Sequence, residues 1–349
     1  MAYTTIDDPT IYFTTNLRSG LYGGSDTAFD IGFQPDWIWN KKRSGTGVHS
    51  IFDSVRGFGS SGKVIYTNSG NVEATNALIK SVSSTGFTVT ASSDDTGTMV
   101  DWCWKAGTSF SNSSGSNGAD LASSGSYNRD AGFSIVTFTG NATADQQIYH
   151  GLNSVPKWMI LKNRTNSNGE SWAVYHASMG NTYRLNLNTT GGKSNSDSAE
   201  FWADTTPTST VLSIGRQDQV NGSGNTHVVY CFSEVKGYSK FSSYVGNGSS
   251  DGTFVYTGFR PAWLLFKGNN TSNWQLWDNK RDTINPVEKA LHPDITNTAS
   301  TDQDIDFLSN GFKIRGSVAH INGSGVDFYY AAFAESPFVN SNGIPNNAR

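Results

Sequence analysis

The sequence predicts an all-β protein of tandem antiparallel β-sandwiches of jelly-roll type, and three observations carry that expectation. Of 349 residues, 36% are hydrophobic and only 15% charged, while Gly (37), Phe (20), Tyr (14) and Trp (10) are abundant. This is the composition of short strands joined by tight turns rather than of helices, which favour Ala, Glu, Lys and Leu. The local pattern agrees: "FTVTA" alternates apolar and polar, "WMILK" and "WLLFK" are short apolar runs, and Gly, Asn and Ser punctuate the chain between such runs. The third observation is a phrase written three times. "GFQPDWIWNKKR" begins at Gly32, "NSVPKWMILKNR" at Asn153 and "GFRPAWLLFKGN" at Gly258.

Aligned on Pro35, Pro156 and Pro261, the copies lie 121 and 105 residues apart. A tryptophan follows two positions on (Trp37, Trp158, Trp263), and a lysine six positions on (Lys41, Lys162, Lys267). Further along, an aromatic precedes Asp53 in "SIFDSVRG", His176 in "AVYHASMG" and Asp278 in "QLWDNKRD". A Gly-Phe turn into a strand appears in "STGFTVTA" and "SNGFKIRG", with "TVLSIGRQ" as its degenerate middle version. Each copy closes on a small-and-aromatic strand: "MVDWCWKAG", "HVVYCFSEVKG" and "FYYAAFAESP". Fixed order at near-fixed spacing defines three related modules, at 12–107, 132–237 and 238–338. The period is far longer than that of stacked solenoids, so each copy is expected to be a small domain with its own core.

Taken in order, the first module opens on a decayed version of the shared start. Proline ahead of each W-x-x-x-K run suits the beginning of a strand, where its missing N–H costs least. "VEATNALIKSV" (72–82) comes nearest to a helical period and predicts one short helix. Residues 108–131 are rich in Ser, Gly and Asn, too polar to offset chain entropy by burial, and predict a flexible linker. The second and third modules follow each other almost without a linker and are expected to pack together. The tail 339–349 is polar and expected to be peripheral.

Trp37, Trp158 and Trp263 suit either a sugar-stacking platform or a sandwich core, and their apolar flanks favour the core. The repeated Lys ends an apolar run and is expected to reach solvent along its stem. Asp53, His176 and Asp278 share a slot without sharing chemistry, which suits a turn or strand-end hydrogen bond rather than catalysis. "GFGSSGKV" (57–64) matches the phosphate-cradling G-x-x-x-x-G-K, but Val64 replaces the magnesium-holding hydroxyl and a strand replaces the receiving helix, so a hairpin is expected. The six histidines (49, 150, 176, 227, 292, 320) lack metal-ligand spacing, and the acidic stretches "SSDDTG" and "STDQDIDF" read as solvated turns. No catalytic, metal or cofactor residue is expected. Sequons at Asn141, Asn163 and Asn270 carry little weight in so polar a composition.

Cys103 and Cys231 lie in aromatic strand-like runs and are expected to be free, buried thiols, although two cysteines allow one bridge. A net charge of −4 with scattered cations gives no field for nucleic-acid phosphates. The beginning of the chain shows no signal-peptide pattern, and no apolar run reaches membrane-spanning length.

The motifs "HSIFDSVRG", "DWCWKAG", "GFSIVTFTGN", "KGYSKFSSYVGNGSSDGTFVYTGFRPAWLLFK", "LSNGFKIR" and "YYAAFAESPF", with the opening "MAYTTIDDPTIYF", resemble a domain recurring in structural proteins of marine tailed bacteriophages of cyanobacteria and other ocean bacteria. The resemblance runs from about residue 3 to residue 338, and the middle module departs from it most, in "TGGKSNSDSAEFWADTTPTSTV". It implies a non-enzymatic virion protein: a tail fibre or compact appendage touching host-surface carbohydrate, or a capsid decoration that stabilises the shell. A polysaccharide-degrading tail enzyme is the weakest alternative, since no pair of carboxylates recurs between modules. The partners implied are other virion proteins, host carbohydrate and further copies of the chain, a trimer if it is a fibre. The absence of heptads or collagen-like repeats favours a compact appendage over a long fibre.

Overall fold

In a computed structural model, which describes residues 3–92 and 95–347, every copy builds the same main sheet. In the first copy the strands run Phe13–Ser19, Thr98–Trp104, Trp37–Lys42, His49–Asp53 across the sheet, continued by Lys63–Tyr66 and Ala74–Thr75. In the second they run Phe133–Thr139, Thr226–Ser233, Pro156–Asn163, Ala173–His176, and in the third Ser239–Val245, Asp327–Pro337, Phe259–Gly268, Gln275–Asp278. The closing strand of each copy thus lies between its opening strand and its tryptophan strand, antiparallel to both.

A smaller antiparallel sheet faces each main sheet. It consists of Thr27–Asp30, Gly86–Val89 and Ile79–Ser83 in copy one, Gln146–Tyr149 and Val211–Ile214 in copy two, and Phe254–Tyr256, Gly311–Ile314 and Ile305–Leu308 in copy three. The Gly-Phe turn starts the Gly86 and Gly311 strands, and "VLSI" sits at the same register against Ile148 that "GFTV" and "GFKI" hold against Phe29 and Val255. The segment 72–82 is not helical. Ala74–Thr75 and Ile79–Ser83 are strands, because Ile79 and partly buried Val82 pack in the sandwich of copy one while Lys80 and Ser81 face water.

The tryptophan strands are buried on both faces, and the period of two sends alternate side chains into different cores. Ile38, Phe52 and Cys103 enter the sandwich of copy one; Met159, Leu161 and Cys231 that of copy two; Leu264, Phe266 and Ala332 that of copy three. The other set meets in one place. Trp37, Trp39, Trp102, Trp104, Trp158, Tyr230, Phe232, Trp263 and Phe333 belong to a single cluster drawn from all three copies. Trp263 lies 5.5 Å from Trp104 and 6.4 Å from Trp158 between ring centroids, and Trp37 lies 4.9 Å from Tyr230. The expectation of a separate core for each copy is therefore incomplete: each sheet also contributes its second face to a common one.

The Ser/Gly/Asn-rich stretch is a hairpin rather than a flexible linker. Thr108–Asn112 pairs with Ser123–Asn128, which pairs in turn with Phe133–Thr139 and so widens the main sheet of copy two. Backbone pairing and two aromatics, Phe110 against Tyr127 and Tyr149, supply what its composition lacks. The tail is pinned as well, since Ser341 donates from its backbone N to Asp7 Oδ1 at 2.6 Å.

Candidate functional site

In copies two and three the repeated proline marks where the strand changes register, while Pro35 stands two residues before Trp37–Lys42, which pairs without a shift. Pro156 opposes Ser233 and Trp158 opposes Phe232, with a bulge between; Pro261 and Trp263 do the same against Ala334 and Phe333. A bulge tolerates a residue that cannot donate, and it aims the following tryptophan inward. Trp37, Trp158 and Trp263 are all essentially inaccessible, as core residues and not as open platforms.

The repeated lysines do not reach solvent. Lys41, Lys162 and Lys267 are each fully buried, and each ammonium crosses to the neighbouring copy. Lys41 Nζ donates to Thr296 O of copy three at 3.1 Å, Lys162 Nζ to Gly70 O of copy one at 3.1 Å, and Lys267 Nζ to Thr190 O of copy two at 3.2 Å. These contacts run one to three, three to two and two to one, a closed ring. Burial pushes all three ammonium groups down to about 8. Each is also held by a further carbonyl, Gly47 O, Asn163 O and Asn270 O respectively, because a buried cation needs acceptors in place of water.

The Asp/His slot closes a second ring in the opposite sense. Asp53 Oδ2 accepts from Tyr230 Oη of copy two at 2.7 Å, and Asp278 Oδ2 accepts from Trp102 Nε1 of copy one at 3.0 Å. Tyr230 and Trp102 stand two residues before the residues paired with Trp158 and Trp37. The matching residue in copy three is Ala331, which offers no side-chain donor. His176 there reaches the adjacent backbone, with Nε2 at 3.0 Å from Tyr330 O. A carbonyl only accepts, so Nε2 carries the proton, and Nδ1 accepts from Ser178 N at 3.2 Å. Burial drives this imidazole down to about 4, which keeps it neutral.

Charge balance follows the same logic three residues further on. Buried Asp53 and Asp278 bind Arg56 and Arg281, each through Nε to Oδ2 at 2.5 Å, whereas neutral His176 is followed by Met179. Arg56 Nη1 also reaches Glu73 at 3.2 Å, and Glu73 holds Arg164 of copy two through two hydrogen bonds. The arginines are legible in the sequence as "SVRG" and "NKRD", three positions beyond the slot in copies one and three.

Two clefts open at equivalent places, beside the strands His49–Asp53 and Gln275–Asp278. The larger, about 600 Å³, lies in copy one beside Asn40, Lys42, Ser50, Tyr66, Leu78 and Asp95. The other, about 410 Å³, lies in copy three beside Asn270, Gln275, His292, Asp302, Gln303 and His320. Ser50 and Gln275 hold the same position, three residues before the slot, and the matching Ala173 is fully buried in copy two.

Cys103 and Cys231 are free and buried at matching positions. Gly57–Val64 is part of a hairpin, as expected: a 3-10 turn at Gly59–Ser61 leads into Lys63–Tyr66, which pairs antiparallel with His49–Asp53. Of the acidic stretch at 92–97, Ser93 and Asp94 lie outside the described residues. Asp95 is not a solvated turn residue but a buried partner of Arg18 at 2.7 Å. Among the described residues no group of three or more His, Cys, Asp or Glu is arranged to hold a metal, and no helix is long and apolar enough to cross a membrane.

Fold and junctions together define an all-β protein in which three antiparallel sandwiches close on one aromatic core. The chain belongs to the family described as "Domain of unknown function (DUF7483)", whose model matches residues 8–337 and so spans all three copies. Neither a curated protein nor a solved structure matches it.

Proposed function

We propose that this protein is a non-enzymatic structural component of a bacteriophage particle, a compact appendage that meets the host surface. The observation that carries this reading is the fate of the repeated side chains. The ionisable groups the copies hold in common, three lysines and the Asp/His/Asp slot, are consumed in joining one copy to the next. The repeated chemistry is architectural, and variation is left to the loops around the clefts, as in scaffolds that present binding surfaces. The resemblance of the motifs to marine phage structural proteins supplies the setting, with other virion proteins as partners and the virion as the location.

A body whose three sandwiches share a core has the form of a knob rather than a shaft. That form also favours a second reading, a capsid decoration that stabilises the shell. Cryo-electron microscopy of intact particles separates the two: density for this chain at the tail supports host contact, and density on the capsid lattice supports decoration. Absence of the chain from purified particles, read by mass spectrometry, overturns both.

A further inference from the structure

The cleft in copy three is walled by amides, hydroxyls and imidazoles, and two of its buried acceptors have nothing to accept from. Gln275 is 2% exposed and Gln303 is 3% exposed. Gln275 Nε2 donates to Asn273 O at 3.2 Å and Gln303 Nε2 donates to Ser300 Oγ at 3.0 Å, which fixes both amides with Oε1 as the free end. Among the described residues neither Oε1 has a hydrogen-bond partner, and neither does Nε2 of His320, which lines the same cleft.

The orientation of Gln303 is enforced from behind. His292 Nδ1 lies 2.9 Å from Trp274 O, so that nitrogen carries the proton and Nε2 accepts from Ser300 Oγ at 3.1 Å. With its own proton committed, Ser300 Oγ accepts from Gln303 and cannot donate to it. The relay therefore leaves Gln303 Oε1, buried at the cleft wall, as the unpaired acceptor of the amide. Polar groups buried this way are costly unless something donates to them.

We propose that this cleft binds one saccharide unit through its hydroxyls, with Gln275 Oε1 and Gln303 Oε1 as buried acceptors. Hydroxyls donate to the amide oxygens and can donate to or accept from His320, whereas an ammonium can only donate. A space of about 410 Å³ suits a small polar molecule rather than a bare ion, and Asp302 alone among the lining residues is a carboxylate, too little charge for a calcium site. The inference rests on the host-contact reading of the protein and names the chemistry of that contact.

The test uses the full chain and NMR, with glucose, galactose, mannose and N-acetylglucosamine as separate probes and calcium chloride as another. At least one sugar is expected to shift the imidazole ¹⁵N signals of both His292 and His320. Gln303→Leu is expected to weaken that sugar about tenfold, the worth of one good hydrogen bond, while melting at or above the wild-type temperature. If Gln303→Leu does not fold, the rim variant Asp302→Asn is expected to weaken the same sugar with the melting temperature unchanged. No response to any sugar, equal affinity in the folded variants, or a response to calcium alone overturns the site. A chain present on particles that binds no sugar defeats this inference and leaves the appendage reading standing. Sugar binding by a chain absent from particles does the reverse.

Discussion

At the scale of single residues, the Asp/His slot shows how one position keeps its task while changing its chemistry. The task is to bond across a copy boundary, and the neighbour dictates the means. Where the neighbour presents Tyr230 or Trp102, a donor, the slot holds a carboxylate and an arginine to balance it. Where it presents Ala331, the slot holds a neutral histidine that donates to a carbonyl, and the arginine gives way to Met179. His176→Asp should therefore bury an unbalanced carboxylate facing the Tyr330 carbonyl. A loss of roughly 3–5 kcal/mol in denaturant-derived stability is expected, the scale for breaking a buried pair. Adding Met179→Arg should return part of it, as a favourable coupling in a double-mutant cycle. Additive effects in that cycle would show that charge balance does not explain the covariation.

At the scale of elements, the strands and the turns between them are legible in the sequence, because period-two burial and punctuation are local signals. Remote partners are not legible there. Residues 108–131 have the composition of a linker, yet they form a hairpin because the edge strand Phe133–Thr139 offers a ladder. The lysines look like strand-end residues with solvated heads, and only assembly reveals the carbonyls of another copy waiting for them. The Gly-Phe turn reads as a turn from its sequence, but its steric reason lies across the strand pair. A Cβ on Gly311 would stand 2.0 Å from Val255 O, and one on Gly86 would stand 1.9 Å from Phe29 O. Gly311→Ala must push the facing strands apart, at an expected cost of about 1–3 kcal/mol, as for overpacking elsewhere. Gly191→Ala, whose nearest neighbour would be Thr189 Oγ1 at 3.7 Å, is the control and should leave the denaturation midpoint within about 0.5 kcal/mol of wild type. Equal midpoints for the two variants would remove close backbone approach as the reason for the glycine.

At the scale of the whole molecule, the shared core makes a prediction that independent beads on a string would not. Trp263 of copy three touches Trp39 and Trp104 of copy one and Trp158 of copy two, so its ring is common property. Trp263→Ala should cost about 3–5 kcal/mol, as truncation of a buried aromatic does. The more telling question is where that cost is felt. Cys103 and Cys231 are free, buried reporters in copies one and two, while copy three carries Ala332 at the matching position. Alkylation of each thiol along a denaturant series, read by peptide mapping, follows the opening of the two copies that the substitution does not touch. If the three sheets stabilise one another through the common core, both thiols become reactive at one midpoint, and Trp263→Ala lowers it for both together. If copy three instead opens alone, both thiols keep the wild-type midpoint, and the aromatic cluster is a contact between finished domains rather than the core on which they depend.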